Sequence, residues 1–272
     1  EYFVSAMDGF RYVFAHMTDQ TTRKPSLTDQ LKEHHEKFLA AMTDLSFALT
    51  YLSKVNPAIL PEQIKPLFET ARSKIETFKK TAENLDSYFP ALLKLLGDRY
   101  PHRILVLLQN NNEIRPGGGF IGSFLILDLN DGALSFSFND VYDFDGKLHE
   151  FVPPPLEIAN VTDTWRMRDS NYSPHFPLSA EKAAWFLEKE QGPGVDSVFA
   201  MDISLARDLL GVIGPITVNG VTYDKNNFDI LLSYIIESKL DGLEDPKNIL
   251  RAFIPAAKEK LLRAAISQTP CH

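Results

Sequence analysis

Between Ser26 and Asn56, apolar side chains return every three or four positions: Leu31, Phe38, Met42, Leu45, Leu49 and Leu52, with His35 in the same row. From Pro61 a second row runs through Ile64, Ala71, Ile75, Phe78, Ala82, Leu85, Phe89, Leu92 and Leu96. A repeat near 3.5 residues is the pattern of one helix packed along another. Ser26 predicts an N-cap, with Asp29 in the first turn. Asn56-Pro57 predicts the turn between the helices, and Pro61 suits a helix start. Pro66, one turn on, predicts a kink or a late start. The expected structure is an antiparallel helical hairpin over residues 1–98, with a shorter helix at residues 2–17 ahead of it.

At Tyr100 the pattern changes to that of strands. RILVLLQ (residues 103–109) is a continuous apolar run, and FIGSFLILDL (120–129) is another. In ALSFSFNDVY (133–142), Leu134, Phe136 and Phe138 alternate with polar residues, so one face is buried. Asn130-Asp131-Gly132 between the last two runs predicts a tight hairpin. Then follow a helix capped by Ser179, a Gly-Pro-Gly turn at residues 192–194 and a strand at 195–201. A short helix over 204–210, strands at 216–218 and 221–223, and helices at 226–238 and 246–265 complete the chain. Strands alternating with helices predict an α/β domain over residues 99–272, a mixed sheet with flanking helices. The irregular stretch from Asp143 to Pro177 is long enough to predict a functional loop.

Charge narrows the function. Lys and Arg number 28 against 36 Asp and Glu, a formal net charge of −8. That balance argues against non-specific nucleic-acid binding and against adhesion to anionic lipid through a basic surface. Cys271 is the only cysteine, which excludes an intrachain disulfide and a cysteine-rich zinc site. No run of 18 or more apolar residues is present. The chain begins at Glu1 rather than Met and is expected to be a piece of a longer one.

Three segments carry candidate chemistry. In NNNEIRPGGGFIGS (110–123), Gly117, Gly118 and Gly119 can turn successive N–H groups toward an anion, and Arg115 can grip a phosphate with two hydrogen bonds. A tight turn with Arg115 paired to Glu113 is the equal alternative. The segment lacks a P-loop's GK[ST] ending, and a strand rather than a helix follows it. In DVYDFD (140–145), Asp143 and Asp145 stand two apart at a strand end, a place where carboxylates hold magnesium beside phosphate, or else form a solvated acidic turn. In WRMRDSN (165–171), Arg166 and Arg168 fall on one side of an extended chain, followed by Asp169 and Asn171. That set suits a diphosphate–metal site or a structural arginine–carboxylate network. His34 and His35 read as packing or surface residues, and no Ser-His-Asp or HExxH arrangement is present.

LLQNNNEIRPGGGFIGSF, DVYDFDG, WRMRDSNYSPHFPLSAEKAAWFLEKE and VDSVFAMDISLARDLLGVIGPITVNG occur in this order, and the set resembles the bacterial domain of unknown function 4012 from about Arg103 to Ser238. In that family a membrane anchor and a helical region precede the domain. The order of elements is also similar to the LytR-CpsA-Psr family, whose members transfer glycopolymers from a polyprenyl-diphosphate carrier to the bacterial cell wall, with arginines on the diphosphate and an aspartate-bound magnesium. This resemblance implies Arg115, Asp143 and Asp169 as catalytic residues. Taken with the glycine nest and the paired arginines, the diphosphate or glycan binders are expected to be Arg115, Gly117, Gly118, Gly119, Arg166, Arg168 and Asn171. The resemblance implies Asp143, Asp145 and Asp169 as holders of Mg2+. RPGGG stands where that family has an RSDT-like start, and NDVYD stands where it has an arginine-bearing strand end.

The expectation is therefore an extracytoplasmic, membrane-tethered protein resembling phosphotransferases, with a lipid-linked diphosphate glycan or cell-wall polymer as partner and no nucleic acid. The alternative is a non-catalytic cell-envelope binding or assembly module, acting through the helical hairpin on a protein partner and through aromatic residues such as Trp165 and Tyr172 on sugars. Convergence of Arg115, Arg168 and Asp169 in one place is what discriminates the two.

Overall fold

A computed structural model describes residues 25–190, 192–237 and 248–267. The helix expected at residues 2–17 and the end of the chain lie outside the described residues. The chain divides into two compact units, residues 1–101 with the turn 130–133, and residues 102–129 with 134–272.

In the first unit, α1 (Leu27–Ser53) begins where Ser26 accepts the Asp29 N–H, as its cap position requires. Asn56 accepts from Ala58 and starts the one-turn link Pro57–Ile59. The second helix, α2 (Lys65–Asp86), starts late, with Pro66 in its first turn. It stops at Asp86, and a separate α3 (Phe89–Leu95) follows. The periodicity had predicted one helix through Leu96. Pro90, which lacks an N–H, sits in the first turn of α3, where it starts a helix but cannot continue one. His35 stacks on Phe89 at 3.7 Å and pairs with Asp86, so it is a packing residue.

The second unit holds a four-stranded sheet in the order β3-β2-β1-β4. These are β1 (His102–Arg115), β2 (Gly118–Asn130), β3 (Ala133–Asp140) and β4 (Ser197–Asp202). Strands β1 and β2 are antiparallel, whereas β1 and β4 are parallel. Asp131 and Gly132, both at positive φ, make the turn from β2 to β3. After β3 comes a single turn, α4 (Val141–Asp145), then a long loop holding the 3-10 turn Met167–Asp169, then α5 (Phe176–Lys189). The helix α6 (Ile203–Ile213), the pair β5 (Ile216–Val218) and β6 (Val221–Tyr223), α7 (Phe228–Glu237) and α8 (Asn248–Ser267) complete the unit.

Two apolar cores result. Leu105, Leu107, Ile121 and Phe124 of the sheet pack with Phe144, Met167 and Phe186, and Phe124 meets Phe144 edge-on at 5.0 Å. Tyr223, Phe228 and Phe253 centre the second. The first core matters most for function, because it anchors α4, the 3-10 turn and α5 beside the end of β1.

Three local expectations are corrected. Ser179 does not cap α5; the helix begins at Phe176 with Pro177 in its first turn, and the buried Ser179 hydroxyl donates to the Ser173 carbonyl. Asp143 and Asp145 lie on the one-turn α4 rather than at a strand end, because Asp140 stops β3 by accepting the Tyr142 and Asp143 N–H groups. Residues 110–115 belong to β1, so the glycine segment is a tight strand connection and not an open loop.

Candidate functional site

The site is built where β1 turns into β2. The register of this pair shifts twice: at Leu108/Gln109 the extra residue is Gly122 of β2, and between Asn110 and Ile114 the extra residues are those of β1, which bulges before its end. Chain from elsewhere fills the bulge. The Gln109 side chain donates to the Gly117 carbonyl and accepts the Gly119 N–H. The buried Asn171 completes the clamp: its amide donates to the Gly119 carbonyl at 2.6 Å, and its own carbonyl accepts the Gly117 N–H at 3.0 Å.

The glycines are therefore needed for close packing. A Cβ on Gly119 would lie 2.2 Å from the Asn110 carbonyl oxygen, and Gly118 has φ +118 with Gln109 against it. The N–H groups of Gly117 and Gly119 are spent on Asn171 and Gln109, so these two do not form the anion nest expected of them. Asn171 likewise serves as a clamp: its side-chain nitrogen is committed to Gly119 and its backbone carbonyl to Gly117, while its buried Oδ1 has no hydrogen-bond partner.

The clamp sets Arg115 and Phe120 on facing strands. The Arg115 guanidinium lies 5.2 Å from the Phe120 ring centre, and the Phe120 ring is 6.0 Å from that of Tyr142. On Tyr142, in turn, stands the Arg168 guanidinium, also at 5.2 Å. Two arginines thus ride on two neighbouring rings. Arg168 also lies 3.3 Å from Asp145 and 3.7 Å from Asp169. Burial raises the Asp169 carboxyl above the ordinary range, and the Arg168 and Arg115 charges pull it back down. Arg115, Arg168 and Asp169 accordingly share one electrostatic neighbourhood.

Arg166 acts elsewhere, its charge pulling on the buried Glu190. The 3-10 turn Met167–Asp169 replaces the extended chain that would have put the two arginines on one side, and Arg166 donates instead to the Leu148 carbonyl at 2.7 Å. Trp165 is buried, with its indole N–H on the Asp169 carbonyl and edge-on to Tyr172, so it offers no open face for a sugar.

Magnesium is not well served by the expected carboxylates. Asp143 is exposed while Asp145 is buried, and Asp145 spends one oxygen on the Met167 N–H and faces Arg168 with the other. Among the described residues, no three His, Cys, Asp or Glu side chains stand together as a metal-holding group. The residues present form an arginine–carboxylate network, and no step is derived through a metal.

One member of this network was invisible in the sequence. Glu190, at the end of α5, is 4% exposed, and neither carboxyl oxygen has a hydrogen-bond partner. Burial, then the Asp145 charge, pushes it up to about 7, while burial raises Asp145 to about 6 against the pull of Arg168. Both carboxyls hold protons more readily folded than unfolded. Their cost is therefore absent in acid, grows as pH rises from the ordinary carboxylate range through 7, and is complete above it. Glu190→Gln is expected to raise the unfolding free energy at pH 8 by about 1–2 kcal/mol and to change it little at pH 4. Urea unfolding at the two pH values measures this; an equal gain at both would show that charge is not the cause.

Residues 100–234 match the family described as "Protein of unknown function (DUF4012)". Comparison with curated proteins and with solved structures found no match.

Proposed function

We propose that the second unit binds a diphosphate-bearing ligand on the face made by Arg115 and Arg168, and that the ligand class is a lipid-linked diphosphate glycan of the bacterial envelope. The observation that carries this reading is the pair of arginine-on-aromatic stacks standing side by side. A guanidinium is a planar fork that meets phosphate oxygens two at a time, and an aromatic face holds its plane without neutralising it. Two such forks on neighbouring rings complement two neighbouring phosphates. The similarity of element order to the LytR-CpsA-Psr family supplies the glycan class, together with an extracytoplasmic, membrane-tethered setting. Among the described residues, no helix is long and apolar enough to cross a membrane.

Transfer chemistry is the extension of this reading. Arg115 and Arg168 would stabilise charge on the phosphoryl oxygens, and Asp169 would take the proton of an acceptor hydroxyl as its oxygen attacks the sugar-bearing phosphorus, the bond to the bridging oxygen breaking and prenyl phosphate leaving. A second reading, an assembly module acting through the helical unit, is favoured by Phe47, Tyr51, Leu67, Leu85 and Tyr88, which that unit leaves exposed.

Calorimetric titration with a short prenyl diphosphate tests the first reading. Arg115→Ala is expected to weaken binding at least tenfold, about 1.4 kcal/mol. Equal binding by both proteins, or binding by neither, overturns it in favour of the assembly module.

A further inference from the structure

Arg168 is the more constrained of the two arginines, and what constrains it is α4. This helix is a single turn, started by Asp140, whose carboxylate accepts the Tyr142 and Asp143 N–H groups. One turn places positions three apart on the same side, so Tyr142 and Asp145 project together. Their surroundings differ. Asp145 is buried, with one oxygen fixed by the Met167 N–H at 3.0 Å. Tyr142 is 55% exposed and presents its ring to solvent and to Arg168. Arg168 is met by the carboxylate at 3.3 Å and by the ring at 5.2 Å. Its side chain keeps 30% of its surface open to solvent.

We propose that Tyr142 and Asp145 are the positioning residues of the diphosphate site, the ring face and the carboxylate together fixing the plane of the Arg168 fork so that its open edge meets a phosphate. This rests on the binding reading given above. The physical reason is entropic. A free arginine side chain loses much rotamer freedom when it grips a ligand, whereas a guanidinium already held by a ring and an ion pair loses little. The ring contributes without competing, since a π-face attracts the cation but accepts no guanidinium N–H that the ligand needs. Asp145 meets Nη1 at 3.3 Å and Asp169 stands 3.7 Å from Nε, which leaves the Nη2 side of the fork as its open edge.

The ring face acts here and its hydroxyl does not. The test uses the full chain and a short prenyl-diphosphate sugar. As a diphosphate diester, the probe keeps a fixed charge near neutral pH, so its own titration does not intrude. Tyr142→Ala is expected to weaken binding threefold to tenfold, and Tyr142→Phe, which keeps the face, to bind like the wild type. Asp145→Asn keeps an oxygen for the Met167 N–H but removes the charge that orients Arg168, and is expected to weaken binding by a similar factor. Because Tyr142 is 55% exposed, Tyr142→Ala is expected to keep the wild-type urea midpoint while its binding falls; a parallel loss of stability would show that the ring is structural and overturn the positioning role.

If Tyr142→Ala binds like the wild type while Arg115→Ala still loses tenfold, the positioning role is overturned and the diphosphate reading stands. If Tyr142→Phe is as weak as Tyr142→Ala, the hydroxyl and not the ring face acts, and the proposal falls. If the wild type does not bind the probe, both the proposal and the reading beneath it fail.

Discussion

Gly119→Ala is expected to cost about 3 kcal/mol of stability, at the upper end of what an added methyl group does in a packed interior. The methyl carbon would stand 2.2 Å from the Asn110 carbonyl oxygen and 2.5 Å from the Asn111 nitrogen. Both are backbone atoms of the facing strand, so no side chain can swing away to make room. The strands must part, and the Asn171 amide then loses the Gly119 carbonyl it holds at 2.6 Å. Because Arg115 and Phe120 flank this point, ligand binding is expected to fall with stability. Gly122→Ala is the matched control. No atom lies within 4 Å of its added carbon, and the change is expected to stay within about 0.5 kcal/mol. Urea midpoints of the two variants decide the matter, and similar losses would show that the bulge is not closely packed.

Arg168→Ala is expected to be the most damaging change in the arginine face, at about 3–5 kcal/mol at pH 8, because it leaves a buried carboxylate without its cation. Asp145 has a side chain only 2% exposed, and Arg168 is the one cation paired with it among the described ion pairs. The loss must depend on pH. Asp145 already titrates near 6, and without Arg168 it moves higher, so in acid the carboxyl is neutral and needs no partner. The expected penalty at pH 5 is therefore a small part of that at pH 8. Equal penalties at both pH values would mean that lost packing against Tyr142, and not lost charge, is what the variant measures.

Much of the fold was legible from local pattern alone. The hairpin at Asp131-Gly132, the Ser26 cap and the apolar runs of β1 and β2 rest on rules that act over a few residues, and each lies where those rules put it. The site was legible in composition but not in arrangement. The charges of Arg115 and Arg168 both act on Asp169, whereas the alternation that paired Arg166 with Arg168 assumed an extended chain where a 3-10 turn forms. The glycines were noticed as an anion nest, whereas what demands them is close approach of the chain itself: Asn171 at Gly117, Gln109 together with a positive φ at Gly118, and the Asn110 backbone at Gly119. Glu190 escaped notice because a charged residue ending a helix ordinarily faces water. Its burial is tertiary, and only packing beside Asp145 reveals it. Tyr142 fell at the end of the third strand run, and it became a support for Arg168 because Asp140 ends that strand early.

Arg115 and Arg168 are expected to meet one ligand together. The most direct test follows the Nε–H resonances of the arginine side chains while a short prenyl diphosphate is added to the full chain. The signals of Arg115 and Arg168 are expected to move together and give the same dissociation constant, while that of Arg103, paired with Asp128 at 2.6 Å, stays in place. If only one of the two moves, or neither does, the two arginines do not form a common site and the diphosphate reading is contradicted.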